Sequence, residues 1–520
     1  MKSALGARTH FSGNLGLLEL ENLDRFGVYP RLHFGDRSYS NLDEFRFAGS
    51  LAHLLRNYGV GSGDRTLVMM PNSPELMASF PAIWTIGASI VPVIPQWTAP
   101  EVANILSDSD ASILLTSPSH APRLKEAMNL AGIDKRLLVF GESDVDGAIN
   151  INPFISQLSP LETPVNRSAS DMAILLYTSG TTGKPKGVVL THGNMRAALD
   201  GVFRQNPDLE RGVTLHSLPL THVYGVLVQQ VSNLWGCTMV LLPQFDPTRA
   251  LEAIERHRVR YLPLVPTMAV YLLRHPERKR FDTSSLFRIT CGGAALPEQL
   301  RQDLEDAFHC RVDQGYGLSE SASIATGYEL RRPYRPGSAG QAVPGVELCI
   351  MDDHGQLLPP CRIGEICVAG PNITAGYWRN TEATGEAIKG KWLRTGDVGY
   401  LDEDGYLYIT DRKKDLIIKG GENISPREIE EALYLHPSVV EAAVIGLPDP
   451  VFGEQICAVV QLTSGALVTE DEIRQHVGKY VTRFKVPARV VFQSALPKNN
   501  AGKILKREIR AGLAGARSSL

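Results

Sequence analysis

The chain has 520 residues, of which 43% are hydrophobic, and a formal net charge of −3 at pH 7. This length predicts more than one folded unit with a large apolar core, and the small net charge argues against the basic surface that nucleic acid or an anionic membrane would require. The seven cysteines are scattered and never spaced as Cys-x-x-Cys, which argues against a disulfide framework or zinc site and favours the cytoplasm. We therefore expect small-molecule partners, with no nucleic acid and no stable membrane insertion.

Alternating helix and strand patterns fill the first part of the chain. An apolar stripe from Leu42 to Tyr58 predicts a helix that has Asn41 as its N-cap, Glu44 three residues on, and Gly59 after its end. Further strands are predicted at 66–70, 89–94 and 111–116, and further helices at 74–86 and after a Thr98 cap with Glu101. This βαβ alternation predicts an α/β domain with a largely parallel sheet that is covered by helices on both faces.

Residues 76–95 carry no charged side chain, so a membrane span has to be considered for them. Pro81, Gly87 and Pro92 interrupt the stretch. We interpret it instead as a buried helix followed by a buried strand.

The last hundred residues have a different pattern and predict a smaller α+β domain. Strands are expected at 416–419, 439–445 and 456–462, with capping boxes at Ser425/Glu428, where Pro426 is the first helical residue, and at Thr469/Glu472. We therefore predict a large domain over 1–411 and a small domain over 412–520, with a hinge near Lys414 in the charged stretch 411–415.

Residues 177–188 read YTSGTTGKPKGV, a loop with several glycines, hydroxyls and two lysines. Exposed backbone N–H groups, hydroxyl donors and positive charge together suit a polyphosphate. A Walker A loop is disfavoured, because Lys184 is followed by Pro185 and residues 188–190 predict a strand where a helix would be required.

This loop resembles the signature of the adenylate-forming enzymes, the superfamily of acyl-CoA synthetases, luciferases and peptide-synthetase adenylation domains. Six further motifs of that superfamily follow in the same order, so the resemblance covers nearly the whole chain. They are PLTHVYG at 219–225, GGAA at 292–295, QGYGLSE at 314–320, WLRTGD at 392–397, DRKKD at 411–415 and PKNNAGK at 497–503.

The resemblance implies a nucleotide site that binds ATP with Mg²⁺. Glu320 would hold the metal, Ser319 would contact the α-phosphate, Tyr316 would stack on adenine, and Asp397 with Arg412 would bind the ribose. The remaining nucleotide-binding candidates are Thr178, Ser179, Gly180, Thr181, Thr182, Gly183, Lys186, Gly293, Ala294, Gln314, Gly315 and Gly317.

The catalytic candidates by resemblance are Lys503, Glu320, His222 and Thr182. Lys503 would stabilise charge that develops between the acid and the α-phosphate. After that step the small domain would turn about Lys414 and bring Gly420 and Gly421 to the thiol of CoA.

The acid pocket by resemblance contains His222, Tyr224, Gly225, Val226, Thr267, Gly292 and Ala295. Its small and apolar residues predict room for a fatty, aryl or polycyclic acid. Amino acids are disfavoured, since Val223 stands where amino-acid-activating domains have an aspartate.

The resulting hypothesis is an ATP-dependent acyl-CoA synthetase of the acid–thiol ligase class. Loading of a standalone carrier protein, a luciferase-like monooxygenase and an inactive nucleotide-binding regulator stay open as alternatives. The identity of the acid and the oligomeric state, a homodimer included, also stay open.

Overall fold

The computed structural model describes residues 13–178, 185–207, 209, 211–498 and 503–515. Its helices are α1 Leu18–Phe26, α2 Asn41–Asn57, α3 Pro74–Thr85, α4 Ala99–Ser109, α5 Ala121–Ala131, α6 Asn152–Ile155, α7 His192–Gln205, α8 Val223–Leu234, α9 Pro247–His257, α10 Pro266–Leu273, α11 Glu298–Phe308, α12 Thr381–Ala387, α13 Pro426–Tyr434, α14 Glu470–Val477 and α15 Lys506–Gly515.

The strands of the first half are β1 Pro30–Phe34, β2 Arg37–Ser40, β3 Arg65–Met69, β4 Ser89–Pro92, β5 Ile113–Thr116, β6 Arg136–Val139, β7 Ala148–Asn150, β8 Met172–Thr178, β9 Lys186–Thr191, β10 Val213–His216, β11 Thr238–Leu241 and β12 Tyr261–Leu264. Those that follow are β13 Arg288–Cys291, β14 Arg311–Gln314, β15 Thr326–Gly327, β16 Gln341–Ala342, β17 Glu347–Met351, β18 Gly364–Ala369, β19 Gly376–Tyr377, β20 Ile388–Lys389, β21 Trp392–Leu401, β22 Leu407–Arg412, β23 Ile417–Lys419, β24 Glu422–Ile424, β25 Val439–Asp449, β26 Gly453–Leu462 and β27 Arg489–Phe492.

Two large sheets organise the first part of the chain, and both are mainly parallel, as predicted. The first has the order β19-β9-β8-β4-β3-β5-β6-β7, in which β8–β9 and β9–β19 are the antiparallel pairs. The second has the order β14-β13-β12-β10-β11-β1-β2, in which β1–β2 is the antiparallel pair. The loop of residues 179–184 therefore joins two antiparallel strands, which confirms the argument against a Walker A loop.

Apolar side chains place the helices in three layers around these sheets. One core cluster joins α2, α3, α7 and α8 to both sheets, so these helices lie between them. A second cluster packs α4 and α5 on the outer face of the first sheet, and a third packs α9, α10 and α11 on the outer face of the second. Helix α8 is thereby held against the inner face of the second sheet, where the candidate site lies.

The uncharged stretch 76–95 forms α3 and β4, both of which are buried, as predicted. Trp84 at the end of α3 is 1% exposed and donates a hydrogen bond from its indole to Ala173 O at 3.0 Å. Among the described residues, no helix combines the length and the apolar character that a membrane crossing demands.

The predicted cap of α2 is wrong by one residue. Ser40 is the N-cap: its hydroxyl accepts from Asp43 N at 3.1 Å, and the Asp43 carboxylate accepts from Ser40 N at 2.8 Å. Asn41 instead donates to Asn22 Oδ1 at 2.8 Å. Glu44, the predicted partner, is partly buried near Arg31, while the adjacent Asp43 occupies the capping position.

The last part of the chain forms two smaller, mainly antiparallel sheets, β17-β18-β21-β20 with β22 and β24-β23-β26-β25 with β27. The Thr469/Glu472 capping box of α14 is confirmed. The Ser425/Glu428 box of α13 is wrong: the Ser425 hydroxyl donates to Thr410 O at 2.9 Å, and Asp411 Oδ2 accepts from Arg427 N at 3.2 Å in its place. These two hydrogen bonds attach the start of α13 to the end of β22, next to the predicted hinge.

Candidate active site

A cavity of about 620 Å³ lies between α8 and the inner face of the second sheet, and it continues to the end of β22. It begins at the carboxyl ends of the parallel strands β12, β13 and β14, the position at which α/β sheets usually bind ligands. Predicted site residues along its wall are Thr178, Lys186, His222, Tyr224, Gly292, Gly293, Gln314, Gly315, Gly317, Ser319, Glu320, Arg412, Lys414 and Lys503. The structure thus brings together residues that are more than 300 positions apart in sequence.

Asp397 holds Arg412 and Tyr316 together beside the cavity. Its carboxylate pairs with Arg412 Nε at 2.8 Å and accepts from the Tyr316 hydroxyl at 2.8 Å. Burial and the Asp397 charge raise the pKa of Tyr316, so this hydroxyl stays a donor. Thr395, Gly396 and Arg412 line the cavity, whereas Asp397 and Tyr316 lie behind that lining. Direct contact of Asp397 with ribose, and stacking of Tyr316 on adenine, stay predictions.

The Glu320 carboxylate is held by a tyrosine that sequence reasoning missed. Tyr377 in β19 donates from its hydroxyl to Glu320 Oε1 at 2.8 Å, and burial together with the Glu320 charge raises the pKa of that phenol. Lys186 Nζ lies 5.2 Å from the centre of the Tyr377 ring. Within the described part of the chain, Glu320 Oε2 has no hydrogen-bond donor.

This arrangement fits Mg²⁺, which binds through one or two carboxylates together with phosphate oxygens. Oε1 is fixed by Tyr377 and Oε2 is available, so Glu320 would hold the ion at the cavity wall without rearrangement. The metal role of Glu320 stays a prediction.

Gln314 and the following glycines form the wall next to the sheet ends. The Gln314 side chain accepts from Leu296 N at 3.1 Å and donates to Ser338 O at 2.9 Å, so it fixes two loops. A Cβ at Gly317 would lie 2.1 Å from Ser323 O, so only glycine fits at this position.

Lys503 reaches the cavity from the last part of the chain. Burial, and next the nearby Arg412 charge, lower its pKa to about 8, because both disfavour a second positive charge there. Lys414 also lines the cavity, and burial followed by the Arg412 charge lowers its pKa as well. Lys503, Lys414 and Arg412 therefore concentrate positive charge at this end of the cavity.

His222 is the N-cap of α8 and lines the cavity. Its Nδ1 accepts from Tyr224 N at 3.2 Å, so the neutral ring carries its proton on Nε2. Burial lowers the pKa of this imidazole to about 4, which keeps the ring neutral near pH 7. His222 can thus donate one hydrogen bond without adding charge.

The part of the cavity between α8 and strands β10, β12, β13 and β14, which we call the acid half after the predicted acid pocket, has two different walls. Helix α8 contributes the apolar side chains Leu227, Val228 and Val231, in line with the predicted apolar pocket. The opposite wall, formed by strands of the second sheet, differs from the predicted apolar pocket, because most of its inward-facing residues are polar. They are Thr214, Tyr261, Arg288, Thr290 and Asp313.

Several predicted residues lie away from the cavity lining. Val226 is fully buried in the core between the sheets, and Gly225 lets α8 approach Pro219, whose carbonyl oxygen would lie 2.1 Å from a Cβ there. Gly421 is exposed in the turn between β23 and β24. Thr267, Ala294 and Ala295 are likewise not among the lining residues, and Ser179, Gly180, Thr181, Thr182 and Gly183 lie outside the described residues.

An ion-pair network at the predicted hinge was also missed. Lys413 Nζ pairs with Glu365 Oε2 at 3.0 Å, while Glu365 Oε1 accepts from Gly396 N at 3.0 Å. Lys413 N in turn donates to Gly396 O at 2.9 Å. Glu365 lies on β18, whose residues 365–369 are all buried, and it is far from either motif in sequence.

Comparison with known proteins is consistent with this geometry. Residues 21–378 match the AMP-binding enzyme family, and residues 428–503 match the AMP-binding enzyme C-terminal domain. A long-chain-fatty-acid–CoA ligase of Bacillus subtilis (strain 168) is 36% identical over 93% of this chain and 92% of its own length. A feruloyl-CoA synthase of an Amycolatopsis species is 37% identical over 89% of this chain and 92% of its own. The crystal structure of ATP-bound MatB from Rhodopseudomonas palustris has a TM-score of 0.87 and 30% identity, over 96% of this chain and 99% of that one.

Proposed function

Since the chain belongs to the AMP-binding enzyme family, in its acyl-CoA synthetase branch, we propose that it joins a carboxylic acid to CoA at the expense of ATP. In the first step a carboxylate oxygen attacks the α-phosphorus of ATP and diphosphate leaves. In the second step the thiol of CoA attacks the acyl carbon and AMP leaves. The protein is an acid–thiol ligase of the AMP-forming type.

One observation carries the proposal: Lys503, Arg412, Glu320 and His222 line a single cavity. An anionic acid must approach a triphosphate, and in a partly dehydrated site this repulsion costs several kcal/mol for each close pair of charges. Cations already in place offset that cost. Lys186, Arg412, Lys414 and Lys503 supply them.

Lys503 is the residue to which we assign stabilisation of the reacting oxygens. Its pKa of about 8 leaves it charged at neutral pH. The approach of a triphosphate would favour the ammonium form further. Its charge is therefore most valuable when the acid and the α-phosphate meet.

His222 orients the acid. Nε2–H is the one N–H donor of the neutral ring, and a carboxylate oxygen of the bound acid would be a suitable acceptor for it. Because the ring stays neutral, it does not weaken the nucleophilicity of the carboxylate as an imidazolium would.

We place Mg²⁺ at Glu320, where Tyr377 fixes one carboxylate oxygen. The ion supplies charge neutralisation on phosphate oxygens. Asp397 keeps Arg412 in position for the nucleotide sugar, and Ser319 presents its hydroxyl to the α-phosphate side.

The second step needs a different arrangement of the two domains, which we place at 1–411 and 412–520. In this structure Lys503 lines the cavity while Gly420 and Gly421 are exposed, which suits the adenylation step. Rotation about Lys414 would withdraw Lys503 and bring the Gly420–Gly421 turn to the cavity mouth, where bare backbone admits a narrow thiol arm.

The experiment is a panel of fatty, aryl and polycyclic acids, assayed for diphosphate release with Mg-ATP and for acyl-CoA with CoA present. Acid-dependent diphosphate release together with acyl-CoA supports the proposal. Release that leads to acylation of an added carrier protein and never of CoA would overturn the assigned acceptor. Absence of diphosphate release with every acid would overturn the function itself.

A further inference from the structure

The sheet wall of the acid half changes from small residues at its top to charged residues at its bottom. Residues paired across β12, β13 and β14 form two inward-facing rows below Gly292. The middle row is Pro263, Thr290 and Asp313, and the lower row is Tyr261, Arg288 and Arg311. Successive rows on one face lie two residues apart, so the lower row is about 13 Å from Gly292 and the middle row about 7 Å.

Asp313 in the middle row binds the two arginines of the lower row. Arg288 binds it through Nε at 3.0 Å and Nη2 at 2.9 Å, and Arg311 Nε lies 3.2 Å from the same carboxylate. The Asp313 side chain is 2% exposed and that of Arg288 is 12% exposed. Two guanidinium groups and one carboxylate leave this cluster with a net charge of +1.

Arg288 still has a donor to offer. Its Nε and Nη2 are used by Asp313, and Nη2 also donates to Tyr328 O at 3.3 Å. Nη1 makes no hydrogen bond to any residue in the described ranges, and this nitrogen is not fully buried. Because Arg288 lines the cavity, this nitrogen is open to water or to a bound molecule.

An alkyl tail that reached this depth would strip water from a charged donor and give nothing in return, which is unfavourable. A hydroxyl, keto or carboxylate oxygen at the same place would accept the hydrogen bond. The facing wall, with Leu227 and Val231 on α8, is apolar and suits the carbon skeleton between the two ends.

On the basis of the proposed function, and with the reacting carboxylate assigned to the level of Gly292, we propose that the acid substrate carries a second oxygen group about 7 to 13 Å away, and that Arg288 recognises it. The substrate class is thus an oxygenated acid, such as a hydroxylated or keto-bearing chain or ring system, and not a plain hydrocarbon acid. Arg288 is the specificity-determining residue at the far end of the cavity.

The test compares acids that differ only at their far end. Straight-chain acids from hexanoic to hexadecanoic acid are assayed beside their terminally hydroxylated counterparts, and kcat/KM is measured as acid-dependent AMP formation with CoA. The ratio of hydroxylated to plain acid should reach about tenfold at an intermediate length and fall at shorter lengths, where the hydroxyl cannot reach Arg288. Matched dicarboxylic acids show whether an anionic oxygen is preferred over a neutral one, and preference for either supports the site.

Arg288→Met should bring the ratio at that length close to one. The ratio is taken within one protein preparation, so a reduced folded fraction affects both substrates equally and cancels. Arg288→Lys, which retains a donor, should keep part of the preference. Val231→Ala on the apolar wall is the matched control and should change both acids by a similar factor.

Two failures are distinguishable. If plain acids are turned over and are preferred at every length, this inference is overturned while the proposed function stands. If the preference exists but survives in Arg288→Met, the assignment to Arg288 is wrong. Lack of turnover with every acid would instead contradict the proposed function.

Discussion

The acid half of the cavity and its other half, which contains Glu320, Arg412 and Lys503 and which we call the nucleotide half, are built differently. Around the nucleotide half, the wall comes from short contiguous segments such as 314–320 and 411–415. Around the acid half, the lining side chains are scattered over five elements, β10, β12, β13, β14 and α8. The residues that we propose to bind the nucleotide thus lie in contiguous motifs. Those that we propose to select the acid are dispersed over the sheet and α8.

The difference also appears in the electrostatics. Lys503, Lys414 and Arg412 bring three positive charges to the nucleotide half, where Asp397 pairs with Arg412, and burial lowers the pKa of both lysines. In the acid half, Arg288 and Arg311 share the single carboxylate of Asp313. Variants of the first half should therefore change rates, and variants of the second should change which acid is used.

The largest effect is expected from Lys503→Ala. Loss of the cation beside the reacting oxygens should slow adenylation at least about 100-fold. Thioester formation from a supplied acyl adenylate should be nearly unchanged, because the role that we propose for Lys503 is in the first step. Diphosphate release and acyl-CoA formation are measured separately.

Lys485→Ala is the matched control, since Lys485 pairs with Glu428 at the surface of the same domain. It should change neither half-reaction by more than about twofold. If Lys503→Ala impaired both half-reactions equally, the division of labour between the two steps would be refuted.

Lys414→Pro should slow thioester formation about tenfold or more and affect adenylation much less. In the described structure Lys414 N makes no backbone hydrogen bond, so proline removes none in this arrangement. The proline would restrict the rotation about Lys414 that we propose for the second step. The two half-reactions are again compared, and the reference is Lys414→Ala, which loses the same ammonium group but keeps the backbone free, so that only the difference between the two variants reports the hinge.

Tyr377→Phe tests how the Glu320 carboxylate is positioned. Without the hydroxyl, Oε1 loses its donor, so the Mg²⁺ concentration for half-maximal rate should rise about tenfold. The Phe ring remains beneath Lys186 and preserves packing. A change in kcat with an unaltered Mg²⁺ requirement would contradict the positioning role.

The smallest effect is a pH dependence. The pKa of Lys503 is lowered from its ordinary value to about 8, so the charged form declines as the pH rises through that value. The kcat/KM for ATP should fall about fourfold between neutral pH and about pH 8.5. Lys503→Arg stays charged, so its activity, although lower, should lose this alkaline decline.

Local signals in the sequence predicted the fold and the nucleotide half well, because each signal depends on neighbouring residues. The alternation around β3, β4 and β5 specified a parallel sheet, and the Thr469 cap was confirmed. The caps at Asn41 and Ser425 were wrong, since tertiary contacts decided which side chain faced the helix end.

The acid half could not be predicted in the same way. Arg288 and Asp313 are 25 positions apart and meet because β13 and β14 are adjacent in the sheet. Tyr377 likewise reaches Glu320 from a strand that joins the edge of the first sheet. No periodicity along the chain reports such pairs, because they depend on strand order.

The central claim is that this protein links an organic acid to AMP within the cavity that Lys503 and Glu320 share. Exchange of labelled diphosphate into ATP, measured with Mg²⁺ and a broad set of acids, tests it most directly. The account predicts exchange that depends on the acid and collapses in Lys503→Ala. Exchange that never exceeds the acid-free background would contradict it.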